Sequence, residues 1–136
     1  MDISQILTLT TISVTDLDTG VEYCQIGIGD SPRGAMAINE DTNTGYLSNT
    51  AGDTISVVDL ENHHESHRIR VGLAPRGVDI TPDNKYVFVS NSGSGSISIV
   101  STEENRTIAE LEVGRNPRQL QVSQDGTFVM CSEFRK

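Results

Sequence analysis

Apolar residues in this chain come in short runs that alternate with polar ones, and each run stops at a cluster of Gly, Asn, Asp, Ser or Pro. The stretch from Val71 to Val113 shows this best, with the runs VDI, KYVFVS, SISIV and TIAELEV separated by turn-forming residues. In KYVFVSN, Tyr86, Phe88 and Ser90 fall on one side and Val87 and Val89 on the other, the period of two expected of a strand. SISIVS alternates until Val100 breaks the rhythm, and continuous apolarity there suits a sheet covered on both faces. No segment sustains a 3.6-residue period, so the pattern predicts strands and almost no helix.

The punctuation itself recurs. Pro32-Arg33-Gly34, Pro75-Arg76-Gly77 and Pro117-Arg118-Gln119 are spaced 43 and 42 residues apart, and Asn49 and Asn91, like Ile55 and Ile97, are 42 apart. Repeats of roughly 40–50 residues with four strands each are the signature of propeller blades. Aligned on this period, TISVTDL at 11–17 matches TISVVDL at 54–60, so the chain begins halfway through a repeat. The expected tally is a half blade (1–28), full blades (29–71 and 72–113) and a second half blade (114–136). One extra residue between Pro32 and Ile38, relative to Pro75–Ile80, predicts a bulge in the first strand of the first full blade.

Three blade equivalents are too few for a ring, because known propellers have roughly four to eight blades. The offset suggests a remedy. The first pair of strands lacks a first and second strand, and the last pair lacks a third and fourth. Two chains arranged head to tail complete both blades and give a six-bladed ring closed as a homodimer. A fragment of a longer propeller chain, a ring of three chains or an open stack are the alternatives.

Composition narrows the partners. The chain has 136 residues, enough for one domain with a substantial core, and a formal charge of −9 with no basic block. That balance disfavours nucleic acid and anionic membrane, while leaving room for a local positive spot. No apolar run approaches a bilayer-spanning length. The N-terminal sequence has no signal-peptide pattern, so a full-length chain is expected in the cytoplasm and a fragment of a longer protein at the cell surface or outside. Cys24 and Cys131 are too few for a disulfide scaffold and are expected as buried small hydrophobes.

At VGLAPRGVDITPDNKYVFVSNSGSGSISIV the chain resembles the YVTN-type β-propeller repeat of archaeal surface-layer proteins and related bacterial propellers, and more distantly the propeller lactonases. Val71-Gly72, Pro75, Gly77-Val78, Pro82-Asp83, Val87-Phe88-Val89, Asn91 and Ile97-Ser98-Ile99 carry the pattern in the second repeat. The first repeat carries Gly29, Pro32, Gly34, Asn49 and Ile55-Ser56-Val57-Val58-Asp59, and the third keeps Val113-Gly114, Pro117 and Asp125-Gly126. Glu133 stands where Asn49 and Asn91 stand. The resemblance implies an all-β propeller over nearly the whole chain.

Arg33, Arg76 and Arg118 share one repeat position just before the innermost strand, near the channel mouth in a propeller. Guanidinium donors there suit a carboxylate or phosphate. The competing expectation is that each Arg pairs with one of the 19 acidic residues. Asn49 and Asn91 are expected to satisfy turn backbone, and Asp59, Asp83 and Asp125 to cap turns. His63, His64 and His67 lie on an outer hairpin whose counterparts, DTGVEY and ENRTIA, lack histidine, so a solvated hairpin is expected rather than a metal site. Asn105-Arg106-Thr107 matches a glycosylation acceptor, relevant only to an exported protein. No GxSxG, Walker or dinucleotide fingerprint is present, no cofactor is implied and no catalytic residue is assigned. The expected role is a non-catalytic scaffold that binds a protein partner or small anionic ligand on the arginine face. A lactonase-like hydrolase and a structural module of a surface protein are the alternatives.

Overall fold

The computed structural model of the chain describes residues 10–15, 17–20, 22–28 and 32–133. Twelve strands follow one another: β1 (Thr10–Thr15), β2 (Glu22–Ile28), β3 (Pro32–Asn39), β4 (Thr44–Asn49), β5 (Thr54–Asp59), β6 (His64–Arg70), β7 (Pro75–Ile80), β8 (Tyr86–Asn91), β9 (Ser96–Ser101), β10 (Arg106–Glu112), β11 (Leu120–Val122) and β12 (Val129–Cys131). They form antiparallel sheets β1–β2, β3–β4–β5–β6, β7–β8–β9–β10 and β11–β12, each strand bonded to its neighbour in sequence. No described residue is helical. The β-branched run ILTLTTISVT at 6–15 predicts the first strand, and residues 6–9 of it lie outside the described ones.

The turns explain why the chain folds into hairpins at these places. Gly20, His63 and Asn105 occupy the same hairpin position in successive repeats, with φ of 71°, 62° and 54°. Left-handed backbone there is easy for Gly and tolerated by Asn. His63 therefore stands in a turn slot. Asp83 and Asp125 close the hairpins between first and second strands. The Asp83 carboxylate accepts hydrogen bonds from the Lys85 N–H (3.0 Å) and the Thr81 hydroxyl (2.6 Å). Asp125 accepts from the Thr127 N–H (3.0 Å) and from the hydroxyls of Ser123 (2.7 Å) and Thr127 (2.6 Å). Asp59 does the same for the N–H groups of Glu61 and Asn62.

The predicted bulge is present. In β3 the register with β4 shifts between Pro32, opposite Asn49, and Met36, opposite Leu47. In β7 the corresponding shift lies between Pro75, opposite Asn91, and Val78, opposite Val89. The extra residue of the first repeat is thus absorbed without disturbing the pairs on either side.

The sheets stack face to face. Ala37, Tyr46, Ile55, Val57 and Ile69 of the first four-stranded sheet form one core with Val78, Val87, Val89 and Val100 of the second. Burial of each large side chain contributes about 1.5–3 kcal/mol. Innermost strands lie beside one another, β3 by β7 and β7 by β11, as the blades of a propeller do. Two buried serines fasten the stack. The Ser48 hydroxyl donates to the Arg76 carbonyl in the next sheet (2.9 Å), and the Ser90 hydroxyl donates to the Arg118 carbonyl (2.8 Å).

Asn49 and Asn91 behave differently from expectation. Their amide groups do not serve turn backbone but donate across to the third strand, Asn49 to Thr54 (3.0 Å) and Ser56 (2.8 Å), Asn91 to Ser96 (3.1 Å) and Ser98 (2.9 Å). Both are fully buried, where an amide donor needs a partner, and the hydroxyls of the neighbouring strand supply it. Cys131 also departs from expectation, being a free, half-buried thiol. The equivalent Val89 is enclosed by strands on both sides, whereas among the described residues Cys131 has a strand on one side only. The side chain of Cys24 lies outside the described residues.

Two outcomes test this packing. A Cβ on Gly77 would sit 2.5 Å from the Arg118 carbonyl oxygen and 2.9 Å from the Leu120 nitrogen, both backbone atoms of the next blade. Gly77→Ala is expected to cost about 1–3 kcal/mol in denaturant unfolding, and unchanged stability would show that the inter-sheet spacing is not this tight. Hydrogen bonds from the Thr127 and Ser123 hydroxyls and the Thr127 N–H hold the Asp125 carboxyl down at about 2. The unfolded carboxyl titrates near ~3.9, so this stabilisation is complete above that pH and is lost as pH falls through about 2. An NMR titration placing the Asp125 carboxyl at its ordinary value would contradict the cap.

Candidate functional site: the cleft beside the innermost strands

Pro75 and Pro117 are fully buried and fix the backbone just before each arginine. The carbonyls of Arg76 and Arg118 are pinned by the serines of the preceding sheet, and the Arg118 N–H bonds to the Ser132 carbonyl (3.1 Å). With the backbone held on both sides, both side chains turn outward into solvent. Arg76 is tethered in addition, its Nε donating to the Ser92 hydroxyl (3.2 Å), which donates in turn to the Ala74 carbonyl (2.8 Å).

Arg76 and Arg118 line one open cleft of about 990 Å³, together with Ala35, Gly77, Gln119, Leu120, Gln121, Met130, Cys131 and Ser132. Of the three arginines expected at the channel mouth, the structure brings these two together. Arg33 is at the matching position of β3, but its side chain lies outside the described residues, while Ala35, two residues on, lines the same cleft.

The cleft has a clear electrostatic character. Among the described residues its charged lining groups are Arg76 and Arg118, with no carboxylate beside them in the lining. Arg76 makes no ion pair with a described carboxylate, whereas Arg68 pairs with Glu65 (3.0 Å) and Arg106 with Glu104 (3.3 Å) at the outer edge of the sheets. A chain of net charge −9 thus concentrates positive charge at one inner site. Amides at Gln119 and Gln121 and the Ser132 hydroxyl add neutral hydrogen-bonding groups.

The same lining is poor in acid–base chemistry. Among the described residues it contains no imidazole or carboxyl group. Its one thiol, Cys131, is pushed up by burial and by the nearby Glu133 carboxylate, which keeps it protonated and weakly nucleophilic. The histidines are peripheral. His63 lies in the turn, His64 pairs opposite Asp59, and His67 pairs opposite Val57 on the outer strand, its ring nitrogen 3.1 Å from the Ser66 hydroxyl. Among the described residues no three His, Cys, Asp or Glu side chains gather to hold a metal ion.

Reasoning from sequence missed Ser92, which orients Arg76, and Ser48 and Ser90, which set the height of both arginines. A signal was available: Ser48, Ser90 and Ser132 are 42 residues apart and each precedes the singled-out Asn49, Asn91 or Glu133.

Several known proteins share this architecture. Among solved structures, hydrazine synthase from Kuenenia stuttgartiensis superposes with a TM-score of 0.83 at 26% identity, over 89% of this chain and 35% of its own. A functionally unknown protein from Desulfotomaculum acetoxidans gives a TM-score of 0.79 at 20% identity, over 90% and 41%. The dihydro-heme d1 dehydrogenase NirN, solved in complex with DHE, gives 0.71 at 17% identity, over 89% and 28%. The chain therefore spans about a third of the length of these proteins, and the likenesses below 25% identity speak for the fold alone. Among curated proteins nothing matches. A family profile described as lactonase, 7-bladed beta-propeller, matches residues 7–112 and, in a second overlapping pass, 77–135. Two passes over one chain are what a repeated blade produces. The propeller lactonases, the more distant of the resemblances noted in the sequence, are the family to which this chain belongs.

Proposed function

We propose that this chain is a non-catalytic propeller scaffold, closed into a six-bladed ring by a second copy, that binds a small anionic ligand at the channel mouth through Arg76, Arg118 and Arg33. One observation supports the binding role: Arg76 and Arg118, from equivalent positions of two repeats, line a single cleft. Planar guanidinium forks match the paired oxygens of a carboxylate or phosphate, and at short range they attract an anion that the acidic surface around them repels. The twelve strands among the described residues are three blade equivalents. Two copies supply six, within the range that closes, and each repeats the arginine position around the channel.

Family membership favours a second reading, lactone hydrolysis. Attack of water on a lactone carbonyl needs a general base or an activating metal and a stabiliser for the oxyanion. The arginines suit the last of these, but among the described residues none lining the cleft suits the first.

Calorimetric titration with citrate and with inorganic phosphate separates the two. Saturable binding of at least one is expected, weakened about tenfold or more by Arg76→Ala or Arg118→Ala, since a charged hydrogen bond contributes about 1.5–3 kcal/mol. Binding that is absent, or indifferent to the double substitution, would overturn the ligand assignment. No turnover of γ- or δ-lactones is expected, and turnover that survives rigorous purification would favour the hydrolase instead.

A further inference from the structure

We infer that the groove between the two four-stranded sheets, at the end away from the arginines, binds a small polyamine: a flexible methylene chain carrying two or more ammonium groups. The Tyr46 phenol and Val57 form its floor, and Glu61 and Glu103 stand at its rim. This site is separate from the arginine cleft and rests neither on anion binding there nor on closure of a ring.

Strand pairing places the groove. In the first four-stranded sheet Thr44 pairs with Asp59 at one end and Asn49 with Thr54 at the other. In the second, Tyr86 pairs with Ser101 at one end and Asn91 with Ser96 at the other. Arg76 follows Pro75, which pairs with Asn91, so it belongs to the latter end. The turns after Asp59 and Ser101 belong to the former. Glu61 and Glu103 hold equivalent places in those turns, 42 residues apart, and both line one groove of about 520 Å³. Both are exposed, and neither takes part in the Arg68–Glu65 or Arg106–Glu104 pair. Three more carboxylates in the lining are already engaged. Asp59 and Asp83 hold turn N–H groups, and Asp41 accepts from the Asn84 amide of the next blade (2.9 Å). Among the described lining residues there is no Lys or Arg, and His67 is the one group able to become a cation.

Acidic turns alone make only a solvated surface, and the floor is what sets this groove apart. Tyr46 is 2% exposed and lines the groove, yet no described group hydrogen-bonds to its hydroxyl. Burial pushes the phenol up, so it stays a neutral O–H. A buried tyrosine hydroxyl ordinarily has a partner. The repeat shows that packing does not require this one. Phe88 stands 42 residues on in the same register, opposite Ile99 as Tyr46 is opposite Val57. What the hydroxyl adds is a lone pair at the bottom of the groove, able to accept from an ammonium N–H. The phenol ring and Val57 offer methylene groups an apolar bed, as the stems of long cationic chains prefer. Glu61 and Glu103, from neighbouring blades, supply the charges for the ammonium groups. The volume lies within the roughly 300–1,000 Å³ usual for small-ligand sites. A bare metal ion suits the groove less, since no three His, Cys, Asp or Glu side chains gather among the described residues.

Spermidine, a linear triamine, is the probe. Calorimetric titration into the whole chain at low salt is expected to show saturable binding that magnesium chloride of equal ionic strength does not abolish. Tyr46→Phe is expected to weaken that binding about tenfold, and Glu61→Gln combined with Glu103→Gln about tenfold or more, as loss of hydrogen bonds to a charged group implies. Stability supplies a readout that a structural role would move the other way. With no partner to lose, Tyr46→Phe should leave the denaturant midpoint of the ligand-free chain unchanged or raise it. Binding that fails to saturate, that magnesium abolishes, or that ignores both sets of substitutions would overturn the site. A lowered midpoint in Tyr46→Phe would overturn it too, by showing that the hydroxyl serves the fold. The citrate and phosphate titrations stand apart from all of these outcomes, because Arg76 and Arg118 are intact in every variant.

Discussion

The hydrogen bond from a second-strand serine to the arginine carbonyl of the following blade is the constraint on which the inner part of this molecule depends. Ser48 and Ser90 are wholly buried between sheets, where an unpaired hydroxyl is costly. Each finds its acceptor on the neighbouring blade at 2.8–2.9 Å. Apolar packing of Tyr46, Val57, Val78 and Val89 supplies the larger share of the stabilisation but tolerates sliding. A directional bond does not. It sets the height at which one blade meets the next, and the buried prolines beside it keep the backbone from turning away.

That constraint positions chemistry as well as structure. With their carbonyls facing inward to serine, Arg76 and Arg118 present their side chains outward on the same side of the stack. Gly77 follows directly, in a space so close to the Arg118 carbonyl that a methyl group would collide with it. The consequence is a positive cleft on an acidic protein. Its described lining presents guanidinium, amide and hydroxyl groups. Membership in a lactonase family describes the ring and its repeat, and a fold of this kind carries many activities.

The outer edge of each blade is built differently. β6 and β10 are largely exposed and carry His64, His67, Glu110 and Glu112. Two carboxylates nevertheless reach inward: Glu65 accepts from Ser56 and Glu110 from Ser96. In each blade a polar chain therefore runs from the buried asparagine through hydroxyls of the third strand to an acid on the fourth. In the first blade it passes through Ser56 to Glu65, which is held in turn by Arg68 (3.0 Å). These chains tie the exposed fourth strands to the interior, where little apolar surface is left to do so.

Strand number, hairpin pairing and turn positions were legible in the amino-acid order because they are local. Period-two alternation decides which face a residue takes, and a turn needs a Gly, Asn or Asp within a few residues of where the chain reverses, as at Gly95, Asn105 and Gly126. The repeat also placed Arg76 and Arg118 at equivalent positions without any structure. What the order of residues left open was every contact between atoms far apart in the chain. That Asn49 and Asn91 reach across to hydroxyls, that Ser92 holds Arg76, and that Arg76 and Arg118 share one cleft all depend on how the strands and sheets are laid against one another. Those distances are set by close packing and buried hydrogen bonds between repeats, which the period announces but does not measure.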